Sequence, residues 1–141
     1  MSEQKTNAMR MLDKAKIDYK VYTYEHKDGK IDGVSVAEKL GQAVETVFKT
    51  IVTRGASRTN YVFVLPVAKE LDLKKAAKTV GEKSVELVHV DEINKLTGYI
   101  RGGCSPVGMK KQFTTVFDDS VNQLPHVIVS GGKIGTQVQT A

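Results

Sequence analysis

Apolar residues recur along this chain in two rhythms, and the points where the rhythm changes mark its elements. Ala8, Met11, Leu12 and Ala15 fall at helical spacing over residues 6–16, with Thr6 or Asn7 able to cap the helix. From Tyr19 to Tyr24 the period drops to two. Tyr19, Val21 and Thr23 share one face, Lys20, Tyr22 and Tyr24 the other, and the β-branched and aromatic composition suits a strand. Neither face is cleanly polar, so the pattern leaves open which is buried. The polar stretch from Glu25 to Gly33 reads as a loop. Ser35-Val36-Ala37-Glu38 then fits a capping box, and Gly41 stands where a terminating glycine belongs.

Val47 to Arg54 and Tyr61 to Leu65 read as strands joined by the turn-rich residues 55–60, a spacing that predicts an antiparallel hairpin. Helices are expected from Asp72 to Val80, stopped by Gly81, and from Asp91 to Leu96, stopped by Gly98, with a strand at Val85 to Val88 between them. Val127 to Val129 and Ile134 to Val138 flank Gly131-Gly132, which predicts a second hairpin. No repeat and no linker-like shift in composition interrupts the chain. The pattern therefore predicts an α+β fold, one domain over residues 1–141, with a mixed, curved, barrel-like sheet and peripheral helices.

Composition narrows the class. At 141 residues, 40% hydrophobic and 26% charged, the chain can bury a core without staples. It has no tryptophan, so Val, Ile, Leu and Ala must build that core. A lone cysteine, Cys104, excludes an internal disulfide and a multi-cysteine metal site. Met1 to Leu12 has no apolar signal-peptide region, and the longest apolar run, Tyr61 to Ala68, is far too short for a bilayer. A cytoplasmic protein without a membrane partner is expected. The net charge of +5, from 21 basic against 16 acidic residues, suits a polyanionic partner, although ordinary soluble domains are also this basic.

Two features carry candidate chemistry. On a strand, Val47, Lys49 and Ile51 share a face, so Lys49 sits on a largely apolar surface. There it can offer a cation or proton donor to a carbonyl or phosphate, or else pack its stem on the sheet while its head reaches water. The segment Gly98 to Gly108 is dense in glycine, which lets backbone N–H groups approach a ligand closely or simply forms a tight turn. It is no P-loop, because Met109 occupies the lysine position. Cys104 has no sequence-local histidine and reads as a small hydrophobe in a turn. His26, His89 and His126 lack metal-ligand spacing, and no Gly-x-Ser-x-Gly elbow occurs. Neither a metal nor a cofactor is expected.

Five segments, in order, resemble the YbaK/EbsC family of aminoacyl-tRNA deacylases, relatives of the editing domain of bacterial prolyl-tRNA synthetases. They are Thr23-Tyr24-Glu25-His26, Val47-Phe48-Lys49-Thr50, Leu71-Asp72-Leu73-Lys74-Lys75, the run from Thr97 through Lys111, and Val129 through Gly135. The resemblance implies hydrolysis of misacylated tRNA, Cys-tRNA(Pro) above all, with prolyl-tRNA synthetase as a candidate partner. It implies that Lys49 is the residue tied to activity. It also implies that the loop from Gly102 to Pro106 presents backbone N–H groups to the ester, with Gly102, Gly103, Ser105 and Pro106 as substrate-binding residues, and that Tyr24 and Ser130 line the pocket. For members acting on cysteinyl-tRNA the implied route has the substrate's own thiol attack its carbonyl, so no protein nucleophile is needed.

Asp32 and Gln137 depart from the aromatic and acidic residues of some relatives, and the chain ends at Ala141 without the C-terminal helix of many. Those departures bear on amino-acid specificity. Ala-tRNA(Pro) or another small aminoacyl-tRNA is the alternative substrate, and a non-catalytic tRNA-binding or regulatory module the alternative class. Lys74, Lys75, Lys110 and Lys111 are the candidates for tRNA phosphates, against the plainer reading of a solvated face.

Overall fold

The computed structural model describes residues 6–24, 33–99, 104–107, 109, 113–133 and 136–140. Helix α1 (Asn7–Lys14) starts at Thr6, whose Oγ1 accepts from Met9 N–H at 3.2 Å. The same hydroxyl donates to the carbonyl of Gly131, tying the helix to the far end of the chain. Ala8, Met9 and Leu12 are its buried face. It ends where Lys16 takes a positive φ of 58°.

Strand β1 (Tyr19–Thr23) follows, then α2 (Gly33–Leu40), which stops at Gly41 with φ +65°. The hairpin β2 (Phe48–Gly55) and β3 (Asn60–Pro66) is antiparallel, as its spacing predicts, with Phe48 opposite Pro66 and Arg54 opposite Asn60. Helix α3 (Leu73–Val80) is capped by Asp72, which accepts from Lys74 and Lys75 N–H at 3.0 and 3.1 Å, and it closes on Gly81 at φ +75°. Then come β4 (Val85–Leu87), α4 (Val90–Thr97), β5 (Thr114–Phe117), β6 (Val127–Lys133) and β7 (Thr136–Thr140).

The strands form two sheets, β1-β7-β6 and β4-β2-β3-β5. All pairs are antiparallel except β3 with β5. The sheets join where Val47, just before β2, bridges in parallel to Ile128 of β6. Among the described residues β1, β4 and β5 each have one sheet neighbour, so the arrangement curves without closing into a barrel.

Alternation divides the core. Phe48, Val62, Val64, Val129 and Val138 meet Met9 and Leu12 on the α1 side. Phe63 meets Ala76, Ala77 and Val85 under α3, and Val47 and Ile128 meet Ala37 under α2. Val62, Val64 and Val138 are 0–1% exposed, and burying each stabilises the fold by about 1.5–3 kcal/mol.

Four expectations change. Helix α2 begins at Gly33, so Ser35 lies inside the first turn and not at the N-cap expected of it. Helix α4 starts at Val90, one residue early, with His89 at the N-cap and no side-chain cap bond. Gly131-Gly132 is not a turn: β6 runs through it to Lys133 with a register shift after Ser130, and Gly132 takes φ +103°. Ile134 and Gly135 lie outside the described residues. Finally, the pattern predicts no strand where β5 lies. Its side chains are mostly exposed, so the sequence carries no alternation there, and the strand exists through its ladder to β3.

Candidate functional site

The junction of the two sheets sets which side chains share a face. Val47 and Ile128, each 2% exposed, turn together toward Ala37 of α2. Phe48 and Val129, the next residues, turn together toward α1. One more step along each chain returns Lys49 and Ser130 to the α2 side, since alternate residues of a strand share a face. Ser130 lies opposite Gln137 on β7, and Gln137 opposite Tyr22 on β1. Tyr24 follows Thr23, the last residue of β1, and is half-buried. The structure thus brings two predicted site residues, Lys49 and Ser130, onto one side of the seam, and adds Gln137.

Lys49 is half-buried beside Leu65, its partner on β3. The ion pairs among the described residues are Arg54–Glu92 at 2.9 Å and Lys69–Asp118 at 3.6 Å, and Lys49 enters neither. Polar side chains line the same face. Gln42 Nε2 donates to Gln137 Oε1 at 2.8 Å, and Tyr22 Oη donates to Gln139 Oε1 at 3.0 Å. Gln42 reaches this position because Gly41 reverses the chain and Gln42 N–H bonds Ala37 O at 2.9 Å. Sequence reading missed Gln42, since a glutamine after a helix-ending glycine looks like any surface residue. Only the docking of α2 onto β6, with Gln42 just beyond the helix, shows where it points.

The glycine-rich segment is placed in part. Gly102 and Gly103 lie outside the described residues, as do Asp32, Lys110 and Lys111. Ser105 is fully buried, and its hydroxyl accepts from Val107 N–H at 3.3 Å. Tyr99, 5% exposed, donates to Val107 O at 2.7 Å, and Val107 packs on the α1-side core. The Ser105 side chain therefore shapes the turn from within, and the structure does not bring its hydroxyl out beside Lys49; Pro106 is half-buried next to it.

Burial pushes the Cys104 thiol up to about 11, with a neighbouring Thr97 hydroxyl pulling weakly the other way. Such a thiol is protonated at neutral pH and makes a poor nucleophile. Lys74 and Lys75 are exposed on the first turn of α3. Among the described residues no group of three His, Cys, Asp or Glu side chains could hold a metal, and no helix is long and apolar enough to cross a membrane.

Fold and face together define a small α+β protein with a lysine, in no ion pair among the described residues, on a polar, partly buried sheet junction. A family model described as an aminoacyl-tRNA editing domain matches residues 32–141. The proposed Cys-tRNA(Pro)/Cys-tRNA(Cys) deacylase EbsC of Enterococcus faecalis is 47% identical over 140 residues, 99% of this chain and 85% of that protein. A proline–tRNA ligase of Brachyspira hyodysenteriae is 29% identical over 70 residues, half of this chain and 12% of the ligase. Among solved structures, a proposed trans-editing enzyme for prolyl tRNA synthetase superposes with a TM-score of 0.82 at 23% identity, covering 99% of this chain and 88% of that one. The chain belongs to the aminoacyl-tRNA editing family, in its YbaK/EbsC branch.

Proposed function

We propose that this protein hydrolyses the ester of misacylated tRNA, Cys-tRNA(Pro) first among them, as a single cytoplasmic domain working on the Lys49 face. The observation that carries the reading is the seam itself: the Val47–Ile128 bridge sets Lys49 and Ser130 on one side, and no carboxylate among the described residues neutralises the lysine. An ammonium held there without a partner can donate to an ester carbonyl or a terminal phosphate, and its worth grows as the incoming substrate excludes water. Ser130 supplies a hydroxyl beside it, Tyr24 an aromatic wall, and Gly102 and Gly103 are the residues whose N–H groups would meet the developing oxyanion.

The high-lying Cys104 thiol supports a route in which the substrate provides the nucleophile. The sulfur of the cysteinyl group bonds to its own carbonyl carbon, the bond to the tRNA 3′ oxygen breaks, and that oxygen takes up a proton. Water then opens the cyclic thioester. Lys49 stabilises the carbonyl oxygen through the first step. The similarity of half the chain to part of a proline–tRNA ligase supports prolyl-tRNA synthetase as the partner from which the misacylated tRNA is received.

The test is deacylation of Cys-, Ala- and Pro-tRNA(Pro) by the wild type and by Lys49→Ala. Cys-tRNA(Pro) should be hydrolysed fastest, and Lys49→Ala should lose about 10²–10³-fold in rate, the usual effect of removing one oxyanion donor. Equal rates for the two proteins would overturn the role of Lys49. Tight tRNA binding without turnover would favour a regulatory module instead.

A further inference from the structure

An editing face must hold the aminoacyl group by more than its ester, and one polar atom on the Lys49 side of the sheets has no role in the chemistry above. Gln42 Nε2 is engaged by Gln137 Oε1 at 2.8 Å, and Gln137 is only 6% exposed. The other end of the same amide, Gln42 Oε1, is buried and among the described residues has no hydrogen-bond donor. A buried acceptor left unmatched is unfavourable by about 1–3 kcal/mol, and a ligand that brings a donor to it relieves that penalty. With the Gln42 N–H donated to Gln137 Oε1, the Gln42 oxygen is the end of that amide left to accept.

The 3′ end of an aminoacyl-tRNA carries two strong donors, the α-amino group and the vicinal ribose hydroxyl. The amino group is the better match. A free α-amino group titrates near pH 8, so both of its forms occur at physiological pH, and both carry N–H bonds that a neutral carbonyl can accept. A carboxylate on this face would pair with Lys49 and occupy the cation needed by the ester. A neutral amide binds the amino group and leaves the lysine unengaged. We infer that the Gln42–Gln137 amide pair is the seat of the substrate's α-amino group, with Gln42 Oε1 as the acceptor and Gln137 as the residue that positions it. This rests on the deacylase reading and adds to it the group by which an aminoacyl ester is told from a simple acyl ester.

The experiment compares cysteinyl-tRNA with its des-amino counterpart, 3-mercaptopropionyl-tRNA, as substrates of the wild type, Gln42→Leu and Gln42→Glu. The wild type should prefer the amino ester, and Gln42→Leu, of similar size without an acceptor, should reduce that preference in kcat/KM about tenfold. Gln42→Glu keeps an acceptor and should keep the preference, although both rates fall as its charge engages Lys49. If Gln42→Leu does not fold, Gln42→Ala is read in the same way. A preference unchanged in Gln42→Leu, or an equal fall on both esters, overturns the amino seat alone. Loss of the preference in Gln42→Glu as complete as in Gln42→Leu overturns the acceptor role. A wild type that hydrolyses neither ester overturns the deacylase reading and the amino seat with it.

Discussion

Replacing Ile128 by Ala tests the seam that sets the face of Lys49. Ile128 is 2% exposed and wedged between Val47 and Ala37, with Val44 and Val67 at the rim. The substitution removes Cγ1, Cγ2 and Cδ1. At about 0.8 kcal/mol per buried methylene the lost transfer free energy is ~2.5 kcal/mol. If roughly half of the vacated space stays open, some 40 Å³, the cavity adds ~1 kcal/mol. The total of about 3.5 kcal/mol lies inside the usual 2–5 kcal/mol for a buried Ile→Ala change. Urea unfolding followed by far-UV circular dichroism reads it directly. With a slope near 2 kcal/mol/M, the midpoint should fall by ~1.8 M with the slope unchanged. Phe117→Ala, at a 42% exposed position on the edge strand β5, should shift it by less than ~0.5 M. An Ile128→Ala shift as small as that of Phe117→Ala would refute the wedge and, with it, the shared face of Lys49 and Ser130.

Other predictions follow from the same geometry. Gly132→Ala meets both a φ of +103° and the side chains of Thr6 and Tyr99 at 3.0 Å from the new Cβ, whereas Gly81→Ala at φ +75° has open space around it. Thermal melts should show Gly132→Ala losing about 2–3 kcal/mol and Gly81→Ala nearer 1 kcal/mol; equal losses would dismiss the contact. Cys104, at about 11, should resist thiol reagents at pH 8 until the chain unfolds, and rapid labelling of the native protein would contradict its burial. The sign for stability follows: the unfolded thiol ionises near its ordinary value while the folded one stays protonated, so the Cys104 contribution is intact below about pH 9 and is lost as the pH climbs through about 11. Lys74→Ala combined with Lys75→Ala should weaken tRNA binding evenly across tRNAs and lower the salt slope by about 2, while an unchanged slope would leave those lysines as plain surface.

Much of the fold was legible because its signals are local. A cap at Thr6 or Asp72, a stop at Gly41, Gly81 or Gly98, and the alternation of β2 and β3 each depend on residues a few positions apart. The errors came where local chemistry had a nonlocal competitor. Gly131-Gly132 looks like a turn by composition, yet β7 and α1 hold it within β6. Ser35 looks like a cap, yet the helix extends two residues upstream of it. For β5 no side-chain pattern existed to be read, because backbone pairing with β3 makes that strand.

The candidate site divides along the same line. The sequence by itself determined that Lys49 sits on an alternating strand, that Tyr24 and Ser130 stand at defined strand positions, and that Cys104 has no helper nearby. Whether these share a face was beyond it, because β1, β2 and β6 are separated by long stretches of chain and each alternates without reference to the others. The single bridge between Val47 and Ile128 decides that Lys49 and Ser130 emerge together. The packing of α2 decides that Gln42 reaches Gln137. A pleat gives every strand two faces; only the pairing of distant strands says which of them coincide.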